Sequence, residues 1–95
     1  MEEIKKDFKD IFSSKELSDF VKKYKLMKEE VKGNPMIYAN YYKDFDDFGV
    51  KVVHRWYDGS KPFSIRPDIE VVEIEIKDKN KKIVHTDQKK REEKS

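Results

Sequence analysis

The 95-residue chain has no cysteine, only three glycines and only three prolines. Without a thiol there is no disulfide framework, no cysteine nucleophile and no thiolate metal site. Gly33, Gly49 and Gly59 are too few and too scattered for a phosphate cradle, and Gly59-Ser60-Lys61 has P-loop letters in the wrong order. None of Ser13, Ser14, Ser18, Ser60 or Ser64 stands in the G-x-S-x-G setting of a nucleophile elbow. No apolar run approaches the roughly 20 residues of a membrane-spanning helix, and no secretory leader is visible, so a cytoplasmic protein with no membrane partner is expected. A surplus of one charge is lacking too: 22 basic residues against 20 acidic ones leave +2, a weak field for attracting nucleic acid.

What the chain does have is charge and aromatic rings. Charged residues make up 44% of it, and the mean hydropathy is -1.00. The 13% of aromatic residues nevertheless argues for a folded core, and a chain of this length has surface enough to bury only one.

Ile4, Phe8, Ile11 and Phe12 follow the spacing of one helical face and predict a helix over residues 2–12. Leu17, Phe20, Val21, Tyr24, Met27 and Val31 continue at helical spacing but on a rotated stripe, so one straight helix cannot bury both sets. Ser13 and Glu16 have the spacing of a capping box, in which hydroxyl and carboxylate each satisfy a backbone N–H. A second helix is therefore expected over 14–32, stopped by Gly33 and Pro35.

Beyond Pro35 the period changes to two. Strands are predicted at 36–43, 49–57, 69–77 and 82–86. Val50, Val52, His54 and Trp56 alternate against Lys51, Val53, Arg55 and Tyr57, while Val72, Ile74 and Ile76 alternate against Val71, Glu73 and Glu75. Pro62 and Pro67 bracket Phe63 to Arg66, which reads as a loop or ragged edge. Asp78 to Lys81 reads as a hairpin turn with Asn80 left-handed. Residues 88–95 hold no apolar anchor and read as a charged, flexible tail after a single domain at 1–87. The expected fold class is α+β, with two N-terminal amphipathic helices packed on one face of a roughly four-stranded antiparallel sheet.

No catalytic constellation emerges, and no cofactor or metal is expected. His54 and His85 would converge only if their strands were neighbours, and no third ligand accompanies them. Asp44, Asp46, Asp47 and Gly49 imitate a calcium loop but fail at Phe48 and Arg55, where oxygen ligands are required. Glu73 and Glu75 share the strand face expected to be wet, opposite the apolar one, and are not expected to act as an acid–base pair. The unusual feature is the run of Tyr38, Tyr41, Tyr42, Phe45, Phe48, Trp56, Tyr57 and Phe63, which alternation cannot bury entirely. Rings left outside suit a protein interface, because tyrosine, tryptophan and arginine bury large areas at low entropic cost. The expected partner-binding residues are Tyr41, Tyr42, Asp46, Asp47, Arg55, Trp56 and Tyr57, and the expected partner is a host or cognate protein.

Nucleic acid is the alternative partner, through stacked aromatics and Lys89, Lys90 and Arg91. Its charge distribution is unfavourable: residues 34–76 carry five basic and eight acidic side chains, and the basic excess lies in residues 77–95, eight against four. An oligomerising structural subunit, pairing through residues 69–77 or the helix stripes, is a further alternative.

The segments "VKVVHRWYDGSKPF" and "RPDIEVVEIEIKDKNKKIVHT", rich in Lys, Glu, Asp, Ile, Tyr and Phe, resemble in style the short proteins encoded by phages and mobile elements of AT-rich bacteria. That class includes stand-alone inhibitors of host enzymes and immune systems, anti-CRISPR proteins among them. The resemblance implies a non-enzymatic module that acts by binding another protein, and it assigns no functional residue.

Overall fold

The computed structural model describes residues 2–11, 13–32, 36–57 and 69–92. Two helices, α1 (Glu2–Lys9) and α2 (Ser14–Lys23), precede five strands: β1 (Met27–Lys32), β2 (Met36–Asp44), β3 (Phe48–Tyr57), β4 (Ile69–Asp78) and β5 (Ile83–Glu92). The strands form one antiparallel sheet in the order β1-β2-β3-β4-β5, so neighbours in sequence are neighbours in space. The fold is α+β, as expected, with one more strand than expected. The expected stop at Gly33 and Pro35, Phe12 and the segment from Phe63 to Arg66 lie outside the described residues.

Both helices pack on one face of the sheet. Ile4, Phe8 and Ile11 from the α1 region join Leu17 and Phe20 of α2, Leu26, Val50 and Val52 of β3, and Val72, Ile74 and Ile76 of β4 in a continuous core. The two stripes converge because the chain breaks between them. At the break, the Ser13 Oγ accepts the Glu16 N–H at 3.2 Å. The reciprocal half of the capping box differs from expectation, since Ser13 Oγ donates to the Glu16 carboxylate at 3.0 Å. The end of α1 is held from across the sheet: the Lys89 ammonium of β5 donates to the carbonyls of Lys9 and, at 2.7 Å, of Ile11. Carbonyls at a helix end have no partner of their own, and a cation there also meets the negative end of the helix dipole.

The helix expected over 14–32 ends at Lys23. Lys25 takes φ 54, its N–H bonds to the Lys22 carbonyl at 3.2 Å, and the Leu26 N–H reaches back to the Val21 carbonyl at 3.0 Å. These paired bonds are a Schellman stop, with Leu26 buried and Val21 packed against the same core. Met27 and Val31 are four apart, a spacing that fits a helix and equally puts both on one face of a strand. The chain uses it as a strand, and all six residues of β1 are exposed.

The expected tail over 88–95 is corrected over 88–92, because β5 runs to Glu92 and pairs along β4 from Ile69, opposite Glu92, to Lys77, opposite Ile83, while 93–95 lie outside the described residues. Backbone pairing and the Lys89 contact, rather than apolar burial, order this segment. In the β4–β5 turn the left-handed residue is Lys81, φ 65, in place of Asn80. The Asp78 carboxylate holds the turn by accepting the N–H groups of Asn80 at 2.8 Å and Lys82 at 3.0 Å. None of the described helices is long and apolar enough to cross a membrane.

Candidate functional site

Register decides which side chains share a face. On the face covered by the helices, Ala39 and Tyr41 of β2 stand beside His54 and Val52 of β3. The opposite, outer face carries Tyr38 and Tyr42 of β2, Lys51, Val53 and Arg55 of β3, Glu73 and Glu75 of β4, and Thr86 and Gln88 of β5. Neither helix covers it.

The expected partner-binding residues divide among three places. Tyr42, 39% exposed, and Arg55 lie on the outer face, and alternation puts the backbone of Tyr57 in the same row. Tyr41 is on the helix-covered face, packed against the core, with the Lys28 ammonium 5.9 Å from its ring. Trp56 is on that face as well, half-buried, its ring 4.6 Å from that of His54. Asp46 and Asp47 are exposed at the tip of the β2–β3 loop, which is closed by the stacked rings of Phe45 and Phe48 at 4.9 Å. The six whose side chains are described therefore do not form one surface, because strand alternation parts Tyr41 and Trp56 from Tyr42 and Arg55, and Asp46 and Asp47 lie in the loop.

Arg55 organises the outer face. Its guanidinium lies 5.8 Å from the Tyr38 ring on one side and donates to the Glu73 carboxylate at 3.3 Å on the other. Its Nε is buried without an acceptor among the described residues, so the donor fork is not saturated. A cleft of about 320 Å³ opens beside it, walled by Lys51, Val53, Arg55, Glu73, Glu75 and Gln88. A second, of about 330 Å³, continues past Lys51 and Glu75 to Tyr42, Asp44 and Lys77. Lys51 and Glu75 face each other across β3 and β4 and are shared by both clefts. The result is one mixed-charge groove across the sheet, with tyrosine at its β2 side. Gly49 borders it closely: a Cβ there would meet the Asp44 carboxylate at 2.8 Å.

The helix-covered face holds a feature that sequence reading missed. His54 Nε2 and Glu70 Oε2 are 2.7 Å apart, with His54 3% and Glu70 0% exposed. Both share parity with the apolar rows of their strands, His54 with Val50 and Val52, Glu70 with Val72 and Ile74. That parity was the available signal. A buried carboxylate requires a partner, so the pair ties β3 to β4. His85 does not join it, because β4 lies between and the register offsets the two histidines by four residues. No group of three His, Cys, Asp or Glu side chains among the described residues could hold a metal.

Of the basic cluster, Lys89 turns inward to the end of α1 and Lys90 belongs to the outer row, while the side chain of Arg91 lies outside the described residues. The cluster is split by the pleat of β5. The chain matches no family model, no curated protein and no solved structure.

Proposed function

We propose that this chain is a non-enzymatic protein-binding module that docks through the outer face of its sheet. The carrying observation is that face itself: uncovered by either helix, it combines exposed Tyr42, an incompletely paired Arg55 and a mixed-charge groove. Aromatic and arginine side chains around a cleft are the usual anchors of a protein interface. Groove walls of both signs suit a protein surface better than a phosphate backbone. Lys89, turned to the end of α1, is drawn away from the basic cluster on which the nucleic-acid reading relies, which favours the protein-binding one. The stylistic resemblance to phage-encoded proteins supplies the class of target, a bacterial defence or housekeeping protein in the cytoplasm, which the module inhibits in the manner of an anti-CRISPR protein.

The test is capture from a bacterial lysate with tagged protein, with and without nuclease and at two salt concentrations, comparing the parent with Tyr42→Ala and Arg55→Ala. One stoichiometric protein is expected to survive nuclease and salt, and each substitution to weaken it by about 2 kcal/mol while leaving the fold intact. Equal retention by both folded variants overturns the outer-face assignment. Recovery of nucleic acid alone, lost with salt, overturns the protein-binding reading.

A further inference from the structure

We propose that two copies of this chain pair antiparallel through β1, about a two-fold axis at Glu29, joining their sheets into one. β1 is an outermost strand of the sheet and all six of its residues are exposed. Among the described residues no strand shares its outer backbone edge, which is a template for another strand. Two of the large apolar side chains left outside the core, Met27 at 61% exposed and Val31 at 45%, lie on it.

The occupant follows from the order Met27-Lys28-Glu29-Glu30-Val31, which is nearly self-complementary when reversed. With Glu29 on the axis, Met27 faces Val31 of the second copy and Lys28 faces its Glu30, each pairing occurring twice. On the outer face the register continues a row already present, because Met27 stands beside Tyr42 and Val31 beside Tyr38 within one chain. The row across the axis then reads Tyr42, Met27, Val31 and Tyr38, the last two from the second copy. On the other face, Lys28 and Glu30 are 3.6 Å apart within the strand, and two such pairs meeting across the axis alternate in sign around a ring. Sliding the pairing by one residue in one direction sets Glu29 opposite Glu30 twice. Sliding it the other way sets Met27 opposite Glu30 and takes Val31 away from its apolar partner. This register carries one like-charge pair, Glu29 on the axis, and is selected because it alone of the three keeps both Met27–Val31 contacts and both Lys28–Glu30 pairs. A six-residue edge buries less than the ~1,200 Å² of a standard interface, which puts the dimer among the weak, concentration-dependent associations.

Sedimentation velocity across a micromolar concentration series, with circular dichroism confirming the fold of each variant, reads the association. Lys28→Glu and Glu30→Lys alone each place like charges opposite and are expected to weaken the dimer at least tenfold. An equimolar mixture of the two variants sets a carboxylate of one copy opposite an ammonium of the other at both positions and restores association. Glu29→Gln removes the repulsion on the axis and tightens the dimer severalfold, while Arg55→Ala, on β3, two strands in from the β1 edge and central to the docking face, leaves it unchanged. A monomer at every concentration overturns the proposal. So does a dimer indifferent to both charge reversals, or two folded variants that fail to associate when mixed. Loss of partner capture in Arg55→Ala with dimerisation retained separates this inference from the docking reading.

Discussion

Asp7 shows how one side chain can gain a role that its position in a helix stripe does not announce. Spacing puts it on the wet side of α1, yet α2 passes alongside, and its carboxylate accepts from the Tyr24 hydroxyl at 2.5 Å and from the Lys23 ammonium at 2.7 Å. Lys23 also reaches Glu3 at 2.7 Å. The hydrogen bonds from Lys23, then Tyr24, hold the Asp7 carboxyl below its ordinary range. Burial, reinforced by the bond to Asp7, pushes the Tyr24 phenol up to about 12. The two signs bound a pH window. Asp7 contributes stability that is present above its unfolded pKa of about 3.9 and is lost as pH falls through the lower folded value. Tyr24 contributes stability that is present below its unfolded pKa of about 10 and is lost as pH rises toward its folded one. Tyr24→Phe is expected to cost about 1–2 kcal/mol at neutral pH in urea unfolding. In an ultraviolet titration, a phenol ionising near pH 12 should disappear with it. An unchanged midpoint together with an unchanged titration would remove this contact from the account of how α1 and α2 are joined.

At the scale of elements, α2 and β1 show where local pattern runs out. The stripe from Leu17 to Tyr24 reads correctly as helix, and Leu17 and Phe20 are buried. Met27 and Val31 extend the same stripe arithmetically, and nothing in Lys25 marks the left-handed stop, which glycine usually supplies. Lys25 adopts that conformation because the buried Leu26 and the core-packed Val21 make the stop worthwhile, and such packing is invisible in a linear pattern. The cost is backbone strain at Lys25. Lys25→Gly is therefore expected to raise stability by about 0.5–1 kcal/mol, the left-handed penalty relieved less the extra freedom of the unfolded chain. A lower urea midpoint in that variant would show that the Lys25 side chain contributes more than its backbone costs.

For the whole molecule, the strand order decides which alternatives survive. β4 lies between β3 and β5, so residues 69–77 offer no free edge to a second copy, and the core-facing stripes of the helices are occupied by the sheet. The edges are β1 and β5. Because β5 covers β4 and carries Lys89 to the end of α1, truncation after Thr86 removes structure rather than a tail. It should lower stability by about 3 kcal/mol or more in thermal and urea unfolding, through lost ladder bonds and an uncapped helix end. A change within about 0.5 kcal/mol, as expected for a solvated extension, would contradict the role assigned to the C-terminal half of β5.

Sequence by itself determined the class of fold, the apolar stripe of α1, and which residues alternate together along β3 and β4, because apolar periodicity reports burial directly where one face is dry. It also determined that aromatics exceed what one covered face can hold. Only the tertiary structure decided which aromatics lie outside, since covering one sheet face with the helices puts Tyr41 and Trp56 on the core side and leaves Tyr42 and Arg55 in the open. It decided as well that Met27–Lys32 and the charged end of β5 are strands. Both segments are ordered by backbone pairing to a neighbouring strand, and hydrogen bonds between main chains leave no mark in the pattern of side chains.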